Sequence, residues 1–198
     1  IYHHIFKDNF LKQTTIYYTN INPINVNITT NIETLINQIH TIFDFEHTLA
    51  HHHLDPQNIN LYQNVKSTLK NILIKHNEDF LNDQFLNALK CENYDIQILI
   101  HDLYNKYSEN EHLEEDEIHH LINSFKTYCK DYLNIKKNKD LEDFKSYTNY
   151  FINNYKYFMN IIEKTFKNNK IIQKIFDKIF SDVFNNNILN KDKHYTAE

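Results

Sequence analysis

LEDFKSYTNYFINNYKYFMNIIEKTFKNNKIIQKIFDKIFSDVF, residues 141–184, sets the fold. Leu141, Phe144, Thr148, Phe151, Tyr155, Phe158 and Ile162 step by three and four over about six turns, the spacing of one helical face and not of a strand. The polar run Lys167 to Asn169 then makes a turn. Beyond it Ile172, Ile175, Phe176, Ile179, Phe180, Val183 and Phe184 give a second helix a wide apolar face. Two long helices joined by so short a turn run antiparallel and bury their apolar faces.

The same spacing continues toward the N-terminus. A first helix is expected from about Ile5 to Tyr18, with Asn20 to Asn27 around Pro23 as a connection. A second opens at Thr30, where Glu33 three residues on completes a capping box, and it carries Ile32, Leu35, Ile39, Ile42 and Leu49. Asp55-Pro56 stops it and starts a third helix with Leu61, Val65, Leu69 and Ile72. Between His76 and Asn93 the pattern loosens, which places a junction of two helical units at about 84–92. Tyr94 to Tyr107 is again helical, and Ser108 with Glu111 is a second capping box opening a helix toward Leu133. The fold class is therefore all-α: elongated tandem helical bundles of long antiparallel helices with short Asn- and Asp-rich turns.

Composition agrees and excludes much. The chain has 198 residues, no glycine, and prolines only at Pro23 and Pro56. Phosphate loops, dinucleotide fingerprints and nucleophile elbows need glycine for positive φ or close backbone approach, so none can be built. All 21 basic residues are lysines and 30 residues are asparagine, a bias that looks like drift in AT-rich coding sequence and would thin glycine too. With 41% apolar residues and a mean hydropathy of −0.65, the chain can form a core but carries no apolar run long enough for a membrane span. A soluble, intracellular protein without membrane contact is expected. Charge is uneven: residues 1–124 hold 7 lysines against 17 acids, and residues 125–180 hold 12 against 6. That basic half could face an acidic protein or a nucleic acid, but without arginine and with acids interleaved, a solvated helix face is the expected reading, and no nucleic-acid partner is expected.

Few constellations suggest chemistry. His47 and His51, one helical turn apart, could share a zinc ion with His40 and His52 or His53 nearby, yet no HExxH run accompanies them. His119-His120 after Glu114, Glu115, Asp116 and Glu117 reads as a solvated face. Cys91 and Cys129 read as reduced, partly buried thiols. No nucleophile, oxyanion donor or cofactor fingerprint can be assigned, so no catalytic, cofactor-binding or metal residue is expected, and a scaffold of packed helices remains.

Particular residues resemble the cullin family. Phe10-Leu11, Thr14 and Tyr17-Tyr18 resemble the Phe-Leu-x-x-Thr-x-x-Tyr-Tyr helix of the cullin N-terminal arm. Glu46 followed by Leu54-Asp55-Pro56 resembles its Glu-rich helix ending in Tyr-Leu-His-Pro, with Leu49 and His53 standing where an Arg and a Tyr are usual. The order Tyr147, Phe151-Ile152, Phe166, Asn168-Asn169, Phe176-Asp177-Lys178 and Phe184-Asn185-Asn186-Asn187 is similar to the cullin series across residues 147–187. Ile175 and Ile179 stand where alanines are common and imply a repacked core. Asp131 and Asn168 stand where many relatives have glycine. Thr196-Ala197-Glu198 looks like the start of the segment leading to the next domain.

The resemblance implies a fragment of a cullin arm, closest to a cullin-1-like scaffold. Residues 1–88 would be the C-terminal helices of one cullin repeat, and 89–198 the following repeat. It implies a rigid, non-enzymatic scaffold of a multisubunit RING ubiquitin ligase, without cofactors, spacing the substrate-receptor end from the RING end in cytoplasm and nucleus. The substrate-receptor adaptor, the RING-box subunit and the ubiquitin-like modifier would bind mainly through regions outside this chain. The alternative is an unrelated helical protein- or RNA-binding module using the basic face of residues 125–180.

Overall fold

The computed structural model describes residues 2–21, 24, 30–53, 59–108, 118–137 and 144–195, and all but a few of these residues are helical. Side chains are described within these ranges except at 2–7, 53, 59–61, 134–137, 144, 147 and 186–195. The helices are α1 (Tyr2–Ile16), α2 (Ile32–His53), α3 (Ile59–Leu69), α4 (Glu78–Lys90), α5 (Tyr94–Lys106), α6 (His119–Lys137), α7 (Phe144–Phe166) and α8 (Lys170–Tyr195). Two π-helical segments, Tyr17–Ile21 and Lys70–Ile74, extend α1 and α3, and a 3-10 turn, Lys75–Asn77, leads into α4. The first helical stretch thus runs past Tyr18 through Ile21. The loosened pattern after His76 is itself helical, with Leu81, Phe85, Ala88 and Leu89 of α4 buried.

Asparagine starts three of these helices. The Asn31 side chain accepts from the amides of Glu33 (2.8 Å) and Thr34 (3.1 Å), so the cap of α2 is Asn31 and not the expected Thr30. Both types cap well, and Asn31 directly precedes the first helical residue. Asn93 caps α5 through the amide of Ile96, and Asn169 caps α8 through those of Ile171 (2.9 Å) and Ile172 (3.3 Å). Pro23, Asp55-Pro56 and Glu111 lie outside the described residues.

Without glycine, the two tight hairpins put other residues into left-handed backbone. After α4, Glu92 takes φ 55° and the Asn93 amide closes on the Ala88 carbonyl at 2.9 Å. After α7, Lys167 and Asn168 take φ 51° and 60°, and the Asn168 amide reaches the Ile162 carbonyl at 3.2 Å. Asn168 is thus a position that calls for positive φ. Asp131 lies inside α6, where no such demand exists. A lysine held left-handed costs roughly 1 kcal/mol or more, so Lys167→Gly is expected to raise stability by about 0.5–1 kcal/mol in urea unfolding. A decrease would contradict the argument.

The chain divides into two compact units, Ile1–Gln84 with Asp102–Leu113, and Phe85–His101 with Glu114–Glu198. In the first unit α2 packs on α3, and α1 also packs on α3. Its buried side chains include Leu35, Ile36, Ile39, Phe43, Val65, Leu69, Leu73, Leu81 and Tyr107. In the second, α6 and α7 pack on α8 around Phe125, Phe158, Phe166 and Phe176. The Phe158 and Phe176 rings lie 5.1 Å apart and those of Phe125 and Phe166 5.4 Å, within the range of favourable aromatic pairs. Ile172 is fully buried, Ile179 is buried and Ile175 half-buried, so these isoleucines sit in or beside this aromatic core.

Candidate functional site

Of the histidines that could share a metal ion, His47 and His51 do lie side by side. The His47 and His51 rings lie nearly parallel with centroids 6.5 Å apart, both exposed, and the edge of Tyr62 meets His47 at 4.8 Å. His52 lies beside His51, and the side chain of His53 is outside the described residues. Among the described residues no group of three or more His, Cys, Asp or Glu could hold a metal ion. His119 pairs with the Asn123 amide at 2.8 Å on an exposed face of α6, and Glu114 to Glu117 lie outside the described residues.

His40 is held elsewhere, in an arrangement sequence reading missed. With Nδ1 unprotonated it accepts the Tyr107 hydroxyl at 2.6 Å, and the Lys106 ammonium lies 3.5 Å from the same nitrogen. Burial first, and then the Lys106 charge, hold the His40 pKa below its ordinary 6.5. The folded state therefore binds a proton less readily than the unfolded one. His40's contribution is whole above pH 6.5 and is lost as pH falls from there toward the depressed folded value. Stability measured from pH 7.5 to 5 should fall less steeply in His40→Gln than in the parent, and identical slopes would contradict this.

The thiols differ more than expected. Cys91 is exposed in the α4–α5 turn, whereas Cys129 is fully buried in α6, where loss of solvent pushes its pKa up. The basic half presents Lys130, Lys145, Lys156, Lys164, Lys167, Lys170, Lys174 and Lys178 to solvent, with Asp131 and Glu163 among them. Lys164 lies over the Tyr94 ring at 4.6 Å. Among the described residues, no helix is long and apolar enough to cross a membrane.

The first unit holds a cavity of about 260 Å³ lined by residues of α2, α3 and the end of α5. Phe43 and Tyr107 stack at 3.7 Å beneath it, and burial pushes the Tyr107 hydroxyl pKa up.

The motif residues of the first helical stretch and α2 make buried contacts. The Tyr18 hydroxyl donates to Glu46 Oε1 at 2.8 Å, and both side chains are buried. One turn before Tyr18, Thr14 is buried, and Phe10 packs against Ala50. Phe10, Thr14 and Tyr18 recur every four residues, so one stripe of the first helical stretch meets Glu46 and Ala50, themselves one turn apart on α2. Burial of the hydroxyl, and then its bond to Glu46, raise the Tyr18 pKa.

In the second unit the Tyr155 hydroxyl donates to Asp177 at 3.1 Å, and Phe151 meets Phe184 edge-on at 4.9 Å. Both contacts tie α7 to α8. A further knot was not foreseen: Thr165 donates to Gln97 Oε1 at 2.7 Å while Gln97 Nε2 donates to the Ala88 carbonyl at 3.1 Å, with both side chains fully buried. These arrangements tie the helices to one another.

A search of curated proteins finds no match to the chain. The family model described as the cullin alpha solenoid domain matches residues 1–198. With an all-helical fold, motif residues meeting at Tyr18–Glu46 and Phe151–Phe184, and that match along the full chain, this protein belongs to the cullin family of ubiquitin-ligase scaffolds.

Proposed function

We propose that the chain is part of the rigid, non-catalytic arm of a cullin–RING ubiquitin ligase, holding the substrate-receptor end apart from the RING end. The observation that carries this reading is the match to the cullin alpha solenoid domain over residues 1–198. Within each unit, helices locked by fully buried side chains supply the stiffness such a role needs. Stiffness matters because fixed separation sets the effective concentration of a ubiquitin-loaded enzyme near its substrate. In this reading residues 1–88 close one cullin repeat and 89–198 form the next. Adaptor, RING-box subunit and ubiquitin-like modifier engage other parts of the full protein, in cytoplasm and nucleus.

The test is a flexible Gly-Ser insertion within residues 84–92 of the full protein, where the chain passes from the first compact unit into the second. Ubiquitin transfer should drop several-fold while both end partners still co-purify. Unchanged transfer overturns the proposal.

A further inference from the structure

We infer that the cavity lined by α2, α3 and the end of α5 is a docking pocket for an aromatic residue flanked by carboxylates in a partner protein. Its floor is apolar and fixed: Phe43, Val65, Leu69 and Tyr107 are all buried, with the Phe43 and Tyr107 rings stacked at 3.7 Å. Tyr62, 41% exposed, stands on the lining and can meet an incoming ring edge-on. The volume of about 260 Å³ falls below that of a typical drug-sized ligand site and suits a single large side chain.

Charge selects what surrounds that side chain. Residues 1–124 hold only 7 lysines against 17 acids, yet Lys66 and Lys106 both line this one cavity. Lys66 is tethered through the Ser108 carbonyl at 2.7 Å, and the Lys106 ammonium lies 5.4 Å from the Tyr107 ring centre. Ammonium groups already held in place lose less freedom on meeting a carboxylate. Asp44 lies on the same lining as an acceptor for a peptide N–H. Aromatic floor, one-residue volume and paired lysines together fit an acidic segment with one aromatic residue. This goes beyond the arm reading and does not depend on it, because the spacing role needs no ligand here.

The test is a titration of the 198-residue chain, followed by NMR, with acetyl-Asp-Phe-Glu-amide, acetyl-Asp-Ala-Glu-amide and acetyl-Lys-Phe-Lys-amide. The first should perturb Tyr62 and Tyr107 with a dissociation constant on the order of 1 mM and weaken with added salt. The alanine and lysine peptides should bind at least about 5-fold more weakly. Lys106→Glu, an exposed position, should weaken the first peptide on the order of 5-fold while leaving helicity unchanged. Absence of perturbation at several millimolar, binding of the alanine or the lysine peptide equal to that of the first, or full binding by Lys106→Glu overturns the inference. None of these outcomes bears on ubiquitin transfer by the inserted full protein, so the two proposals fail separately.

Discussion

Replacing Phe158 by alanine is expected to lower the stability of the second unit by about 3–5 kcal/mol. The ring is fully buried and sits among those of Phe125 (6.1 Å), Tyr128 (5.9 Å), Tyr132 (5.4 Å), Tyr157 (5.2 Å) and Phe176 (5.1 Å). Truncation removes apolar burial and leaves a void that these neighbours fill only in part. Each lost aromatic pairing adds roughly 0.5–1.5 kcal/mol to the area term, although such losses are not additive. The midpoint of thermal unfolding should fall by on the order of 10 °C. Phe158→Leu, which keeps most of the volume, should cost less than half as much. A change below about 1 kcal/mol in Phe158→Ala would mean that this core is not packed as described.

Tyr18→Phe is the second. The hydroxyl it deletes is a donor to a carboxylate that is 6% exposed, and hydrogen bonds to charged groups are worth roughly 1.5–3 kcal/mol when the partner stays buried. A loss of that size is expected in urea unfolding, with little change in helicity. The decisive comparison is the double variant Tyr18→Phe, Glu46→Met, in which no polar group is left behind. It should recover most of the loss, because a hydrogen-bonded pair exchanged for apolar groups of similar shape is close to neutral. If the double variant is as unstable as the sum of both single changes, the bond contributes nothing through pairing.

What the sequence shows and what it hides divide along physical lines. Ile162, Phe158 and Ile172 were readable as core because burial of a helix face repeats every three to four residues and leaves a periodic trace. The turn at Lys167 to Asn169 was readable from its polarity. Asn31 was not identified as a cap because it follows Thr30, which has the better-known spacing to Glu33, and the choice rests on a one-residue difference in where the helix starts. The buried polar contacts left no trace. Gln97 and Thr165 are 68 positions apart, and His40 and Tyr107 are 67 apart, so nothing local distinguishes them from solvent-facing residues. Tyr18 and Glu46 form an intermediate case: each lies in a recognisable motif, yet their contact across 28 positions appears only in the folded chain.

The division of the chain into units has a consequence for how the protein is made. The first unit takes residues 1–84 and Asp102–Leu113, while Phe85–His101 belongs to the second together with Glu114–Glu198. Phe43 therefore leaves the ribosome long before Tyr107, the ring stacked on it at 3.7 Å. At about 5–20 residues per second, that leaves several seconds in which the apolar faces of α2 and α3 wait for their last partner. Over the same interval the opening stretch of the second unit emerges, so neither unit can finish as an isolated block. Dividing the gene at any one codon leaves one product without a piece of its own interior, and slow synthesis through residues 85–107 should be when nascent chains most depend on chaperones.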